Sequence, residues 1–232
     1  MAVKSVYLPH ASIQSDRVHI GGDEHRHLVV ARAEPHEIIE IFDGQGTAWA
    51  ATVESVGKRE TIARVIESRK IQRDPMELVV GLAIIRMAAF EWALEKVVEM
   101  GVTRIVPFAA DRSNVAPGNR CERWMRILIE AAKQSKQYYV PALDRPARFE
   151  EVISMTAASK IVFAERDGGP LKSALTGLPV LYLIGPEGGW TDRELTAARD
   201  GGSHAVSLGA SILKAETAAI VGAELIRYEL GR

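Results

Sequence analysis

One cysteine, Cys121, stands in 232 residues, so the chain cannot close an internal disulfide or hold a multi-cysteine zinc site. That usage fits a reducing compartment. Cys121 lies in a charged helical stretch with no histidine nearby, and nothing there would activate it as a nucleophile. Also missing are an apolar run of membrane-spanning length and a signal-peptide core at the N-terminus, so a cytoplasmic protein with no membrane contact is expected. Neither sign of charge prevails: 29 Lys and Arg against 30 Asp and Glu leave a formal net charge of −1. A sequence-independent nucleic-acid binder would be strongly basic, and this chain is not. Repeats and low-complexity tracts are absent as well, and 47% hydrophobic with 25% charged residues is the balance of an ordinary globular protein.

What is present is unevenly spread. Arg17, Arg26, Arg32, Lys58, Arg59, Arg64, Arg69, Lys70 and Arg73 crowd the first third with five of the six histidines, among a similar number of acids. The cluster fits a nucleic-acid face or a solvated mixed-charge surface equally well. His25 and His27 read as polar surface residues, and without a third ligand no metal site is expected. Short β-branched and aromatic runs predict strands over 3–8, 17–20, 37–42, 47–56 and 61–68, separated by turns at Gly21-Gly22, Asp43-Gly44 and Gly57. That is the pattern of a small β-barrel. A polar connection over 69–77 leads to a parallel α/β regime, with strands predicted over 78–85, 104–108, 160–164, 180–184 and 205–208. Helices are predicted over 88–100, 120–136, 149–157, 192–200 and 210–230. The implied domains are 1–72 and 73–232.

Two glycine-bearing turns follow buried-strand signals near the C-terminus: Leu183-Ile184-Gly185-Pro186-Glu187-Gly188-Gly189-Trp190 and Ser207-Leu208-Gly209-Ala210-Ser211-Ile212-Leu213-Lys214-Ala215-Glu216-Thr217-Ala218. Both sit where a parallel α/β sheet binds ligands. Neither is a phosphate cradle of the G-x-G-x-x-G or P-loop kind. Glu187, inside the first turn, would repel a phosphate and suits a neutral or cationic ligand. Glycines let the backbone touch a flat ring such as adenine, while Thr191 and Glu194 form a capping box for the next helix. Taken alone, the first turn could equally be a plain strand-to-helix connection.

The two strings together resemble the SPOUT-superfamily 16S ribosomal RNA uracil-N3 methyltransferases. Further family signatures occur in order: His27-Leu28 through Arg32, Phe42-Asp43-Gly44, Trp92 through Lys96 ahead of Gly101-Val102, Arg104-Ile105-Val106-Pro107, Arg112-Ser113, and Trp124 leading to Glu130-Ala131-Ala132-x-Gln134-Ser135. The resemblance covers essentially the whole chain. It implies a PUA-like N-terminal β-barrel before a C-terminal α/β trefoil-knot domain, S-adenosylmethionine as cofactor, 16S ribosomal RNA or the small ribosomal subunit as partner, and a homodimer. It implies cofactor contacts from Leu183, Ile184, Gly185, Pro186, Glu187, Gly188, Gly189, Ser207, Leu208, Gly209, Ile212, Leu213, Thr217 and Ala218.

Methylating uracil N3 requires loss of its proton and stabilisation of charge spreading to the ring oxygens, a task for cations. Arg112 and Lys214 are the candidates: Arg112 to position the uracil or RNA backbone, Lys214 to orient the helix start beside the ligand. Arg112 could instead pair with Asp111 or Glu165. Lys214 stands where the family usually has arginine, which keeps the charge and loses the planar fork. RNA contacts are expected from Arg17, Arg26, Arg32, Arg86, Gln134 and Ser135. Arg86-Met87-Ala88-Ala89 departs from the family's Lys-Gly-x-basic pattern, and Lys133, Lys136 and Gln137 depart from its common Glu and Gly-Arg pattern. Glu216 is expected to serve structure or a dimer interface.

Overall fold

Period-two alternation makes strands wherever one face can be buried. In the computed structural model, which describes residues 3–9, 16–113, 120–165 and 168–231, the first seventy residues form β1 (Lys4–Tyr7), β2 (Arg17–Ile20), β3 (Ile38–Phe42), β4 (Thr47–Val56) and β5 (Thr61–Lys70). They make one sheet in the order β1-β3-β4-β5-β2, antiparallel except for β1 beside β3. Val6, Ile20, Ile39, Ile41 and Val53 fill its core together with Leu28. Leu28 comes from α1 (Gly22–Val30), a helix where the Gly-Gly pair suggests only a turn. No side chain caps α1; Asp23 and Glu24 in its first turn suit the helix dipole, and burial of Leu28 and His25 docks it. His25 is therefore not a surface residue: its Nδ1 lies 2.9 Å from Oγ1 of the fully buried Thr61.

The chain divides into two units, Met1–Arg73 with Ala132–Val140, and Asp74–Ala131 with Pro141–Arg232. A single cut after residue 72 misses the return of 132–140 to the first unit. There the Gly46 N–H donates to the Tyr138 carbonyl at 3.0 Å and the Val140 N–H to the Gly44 carbonyl at 3.0 Å. Gly46 is at φ +91°, and a Cβ on it would overlap the Tyr139 ring. Only glycine fits both demands.

In the second unit, six strands run parallel in the order β12-β10-β11-β6-β7-β8: β6 (Leu78–Ala83), β7 (Arg104–Ala109), β8 (Ala142–Leu143), β10 (Ser159–Phe163), β11 (Val180–Ile184) and β12 (His204–Val206). The short β9 (Ala147–Arg148) also pairs with β7. Five helices connect them, α2 (Met87–Glu99), α3 (Cys121–Ser135), α4 (Phe149–Ile153), α5 (Leu171–Ala174) and α6 (Asp192–Asp200), and α7 (Ala215–Glu229) closes the described chain. All five residues of β11 are buried, as a central parallel strand requires. β11 pairs with β10 and β6, while β12 lies beyond β10. The strand order therefore reverses around β10, which creates a crevice at the carboxyl ends of these strands. α7 is seated by two contacts. The buried Tyr182 hydroxyl donates to the Ala219 carbonyl at 3.1 Å, and Gly222 lies so close to the Phe163 ring that a Cβ would sit 2.5 Å from it.

Candidate functional site

The crevice is a cavity of about 920 Å³ whose walls are the two glycine turns. On one side the Gly189 N–H donates to the Pro186 carbonyl at 2.9 Å, closing a tight turn with Gly189 at φ +70°. Gly185 lies under the Trp190 indole, and a Cβ there would come within 2.8 Å of the ring. Trp190 is fixed in turn: its Nε1 donates to the Phe163 carbonyl at 2.8 Å, and it stacks on Phe108 with centroids 6.1 Å apart. The expected capping box is present, with Thr191 N–H donating to Glu194 Oε2 at 2.9 Å and Glu194 N–H to Thr191 Oγ1 at 3.2 Å. Glu194 is almost completely buried and also accepts the Asp111 N–H at 2.9 Å, so one carboxylate ties the end of β7 to the start of α6.

Across the cavity, Gly209 N–H donates to Ser207 Oγ at 3.3 Å, and Gly209 stands at φ +120°. Helix α7 begins at Ala215, not at 210 as its apolar spacing suggests. Ile212, Leu213 and Lys214 are thus loop residues of the cavity wall, and Ile212 is 76% exposed. A third wall was not foreseen. Phe163, Ala164 and Glu165, at the carboxyl end of β10, line the cavity because β10 separates β11 from β12. The strand signal near 160–164 was legible; its place between the two turns was not.

Of the residues expected to hold cofactor, Ile184, Gly185, Pro186, Glu187, Gly188, Gly189, Ser207, Leu208, Gly209, Ile212, Leu213 and Ala218 line the cavity. Leu183 and Thr217 are not among its lining residues. The side chain of Leu183 points the other way, into a core with Val152 and Phe108, as alternation after Ile184 demands. Arg112 also lines the cavity, but its Nη1 donates to the carbonyls of Gly188 at 3.0 Å and Trp190 at 3.3 Å. It holds the first turn and forms neither of the carboxylate pairs considered for it. Asp111 goes instead to Arg193, whose hydrogen bond lowers the Asp111 carboxyl below its ordinary range.

Arg86, expected among the RNA contacts, stands in the cavity, where its Nε donates to Glu187 Oε1 at 3.0 Å. Glu187 accordingly raises the Arg86 guanidinium above its usual range. Lys214 lines the opposite wall as N-cap residue of α7 and, among the described residues, makes no ion pair. Arg17, Arg26, Arg32, Gln134 and Ser135 belong to the first unit, not to the unit that contains the cavity. Arg17 is paired with Glu54 at 2.9 Å and Arg26 with Asp23.

Residues 72–227 match the model of an RNA methyltransferase domain, and residues 20–66 that of an RNA methyltransferase PUA domain. The chain belongs to this RNA methyltransferase family. It is 32% identical over 165 residues to the ribosomal RNA small subunit methyltransferase E of Mesomycoplasma hyopneumoniae, covering 68% of this chain and 73% of that one. The protein of the same name from Synechocystis is 29% identical over 232 residues, covering 95% of this chain and 76% of that one. Among solved structures, the ribosomal RNA small subunit methyltransferase E of Neisseria gonorrhoeae, bound to S-adenosyl methionine, superposes with a TM-score of 0.92 at 28% identity over 98% of each chain. The architecture is thus a PUA-like N-terminal domain and an α/β methyltransferase domain.

Proposed function

We propose that the protein uses S-adenosylmethionine to methylate N3 of a uridine in the 16S RNA of the small ribosomal subunit. The cavity carries this reading: two glycine turns and the end of β10 converge on one space that has no phosphate-cradling loop and is lined by Glu165 and Asp192 besides Glu187, which is paired with Arg86. Such a lining suits a ligand with an uncharged ring and a positive centre. When bound, the cofactor supplies an electrophilic methyl group. The chain's own work is positioning and charge. Backbone groups freed by Gly185, Gly188 and Gly189 hold the flat part of the ligand, and Arg112 keeps that turn in place through its two carbonyl bonds. Lys214 offers an ammonium that the described residues leave unneutralised, placed to stabilise negative charge as the uracil N3 proton departs.

Knotted threading of the C-terminal segment, a cytoplasmic location and a homodimer belong to the same proposal. No described helix is long and apolar enough to cross a membrane. For the dimer, α2 and α7 pack together and keep Trp92, Leu225 and Tyr228 exposed, an arrangement suited to a second copy. A monomeric mass in sedimentation equilibrium at micromolar concentration would remove that part. The reaction is tested by mapping modified nucleotides in small-subunit RNA from a strain lacking the gene. Loss of an N3-methyluridine, restored by the gene, is expected; loss of a different mark overturns the base assignment. Calorimetry with S-adenosylmethionine tests the enzyme itself, since absence of binding at millimolar ligand would leave an RNA-binding module only.

A further inference from the structure

Cations of the first unit differ in how they are paired. Lys4, Arg17, Arg26 and Arg64 are neutralised by Glu37, Glu54, Asp23 and Asp16. At the end of β5 the balance differs. Arg69, Lys70, Arg73 and Lys136 are all exposed, yet Arg69 and Lys136 share a single carboxylate, Glu40, each at 2.7 Å. Among the described residues, Lys70 and Arg73 have no carboxylate partner. Asp43, in the adjoining turn, is occupied by the N–H groups of Gln45 at 2.7 Å and Thr47 at 2.9 Å.

Two aromatic rings are set among these charges. The Arg69 guanidinium carbon lies 5.2 Å from the centre of the Tyr138 ring, and that of Arg73 lies 5.7 Å from the centre of Tyr139. Both rings are anchored. Tyr138 Oη donates to Glu40 Oε1 at 2.9 Å, while Tyr139 Oη donates to the Ile71 carbonyl at 3.0 Å with its ring against Gly46. A guanidinium beside an anchored ring is a planar cation whose open side suits an unstacked base as well as attracting phosphate.

We propose that the end of β5 docks a single-stranded segment of the RNA substrate: Lys70 and Arg73 meet phosphates, and a base stacks on Arg73 where it lies over Tyr139. The proposal rests on the RNA methyltransferase reading above. A single strand fits better than a duplex because planar guanidinium–tyrosine pairs recognise exposed base faces, which a duplex hides.

The experiment is a fluorescence-anisotropy titration of the full chain with a labelled, unstructured oligoribonucleotide at several salt concentrations. Each phosphate-contacting cation removed should lower the salt slope by about 1, so Lys70→Gln/Arg73→Gln should lower it by about 2 and weaken binding by about tenfold. Calorimetric affinity for S-adenosylmethionine should stay unchanged. Lys58→Gln/Arg59→Gln, in the turn at the far end of the β4–β5 hairpin, removes the same net charge elsewhere; an equal loss of affinity there overturns the assignment to this face. So does an unaltered affinity and slope in the Lys70/Arg73 variant. Arg73→Lys should recover the slope and not the affinity, and full recovery of both overturns the stacking contact. A wild-type chain that binds S-adenosylmethionine but no RNA overturns the docking proposal, while one that binds neither overturns the functional reading beneath it.

Discussion

Gly185 and Arg112 show how single residues set the first wall of the cavity. Gly185 is needed for space, since its φ is not in the left-handed region and the obstacle is the Trp190 ring. Gly185→Ala would push a ring fixed by its own hydrogen bond, at a cost of about 1–3 kcal/mol. Thermal unfolding should register the loss, and binding of S-adenosylmethionine should weaken with it. Arg112→Ala acts differently. Removing two exposed hydrogen bonds to the turn should cost about 1 kcal/mol of cofactor affinity, roughly fivefold, with little change in melting temperature. An unchanged calorimetric affinity would show that the turn holds itself. The glycines and Glu187 were legible because their chemistry is local. Arg112's partners were not, because two backbone carbonyls more than seventy residues away leave no trace in sequence spacing.

Helix ends divide the chain at the next scale. α2 and α6 stop at Gly101 and Gly202, both left-handed, with the following N–H reaching back to close the last turn. α1 and α3 use the same geometry with cations, Arg32 at φ 53° and Lys136 at φ 57°. A left-handed arginine costs about 1 kcal/mol relative to glycine. Arg32→Gly should therefore raise the unfolding free energy by up to about that amount. If Arg32 contacts RNA, the same change should weaken RNA binding, and a variant more stable with undiminished RNA affinity would remove Arg32 from the contact set. Sequence signals located the strands of both units except the two-residue β8 and β9, and fixed α6 at its observed bounds, because its capping box and apolar face agree. They placed the start of α7 too early. Ile212 and Leu213 keep helical spacing with the residues that follow, but Gly209 at φ +120° and extended backbone at Lys214 hold that segment out of the helix. α1 was missed for the opposite reason: it has no capping side chain, and tertiary burial of His25 and Leu28 docks it.

Over the whole molecule, paired carboxylates set the acid limit. Hydrogen bonds from Lys4, Arg64, Arg123 and Arg193 lower Glu37, Glu54, Glu91 and Asp111 respectively, and Glu40 is lowered although burial pushes it upward, because Lys136 and Tyr138 outweigh that effect. A carboxyl with a folded pKa below its unfolded value contributes fully above the unfolded value, about 4, and loses that contribution as pH falls through the folded one. Melting temperature should thus be flat from about pH 5 upward and fall below about pH 4. A melting temperature unchanged down to about pH 3 would show that these pairs contribute nothing to stability. Fold class and cofactor chemistry were legible from motifs and resemblance. The return of 132–140 to the first unit was not, since its backbone bonds to Gly44 and Gly46 join segments some ninety residues apart.

The reversal of strand order around β10 also fixes when the protein becomes competent. β10 and the first turn precede Ser207 in the chain, and the opposite wall with the helix that seats it follows all the other strands of the sheet. A nascent chain still lacking that segment has half a crevice and nothing to close it. Cofactor capture therefore awaits synthesis of both turns and of α7, so a growing chain that has made only the first turn cannot hold the methyl donor.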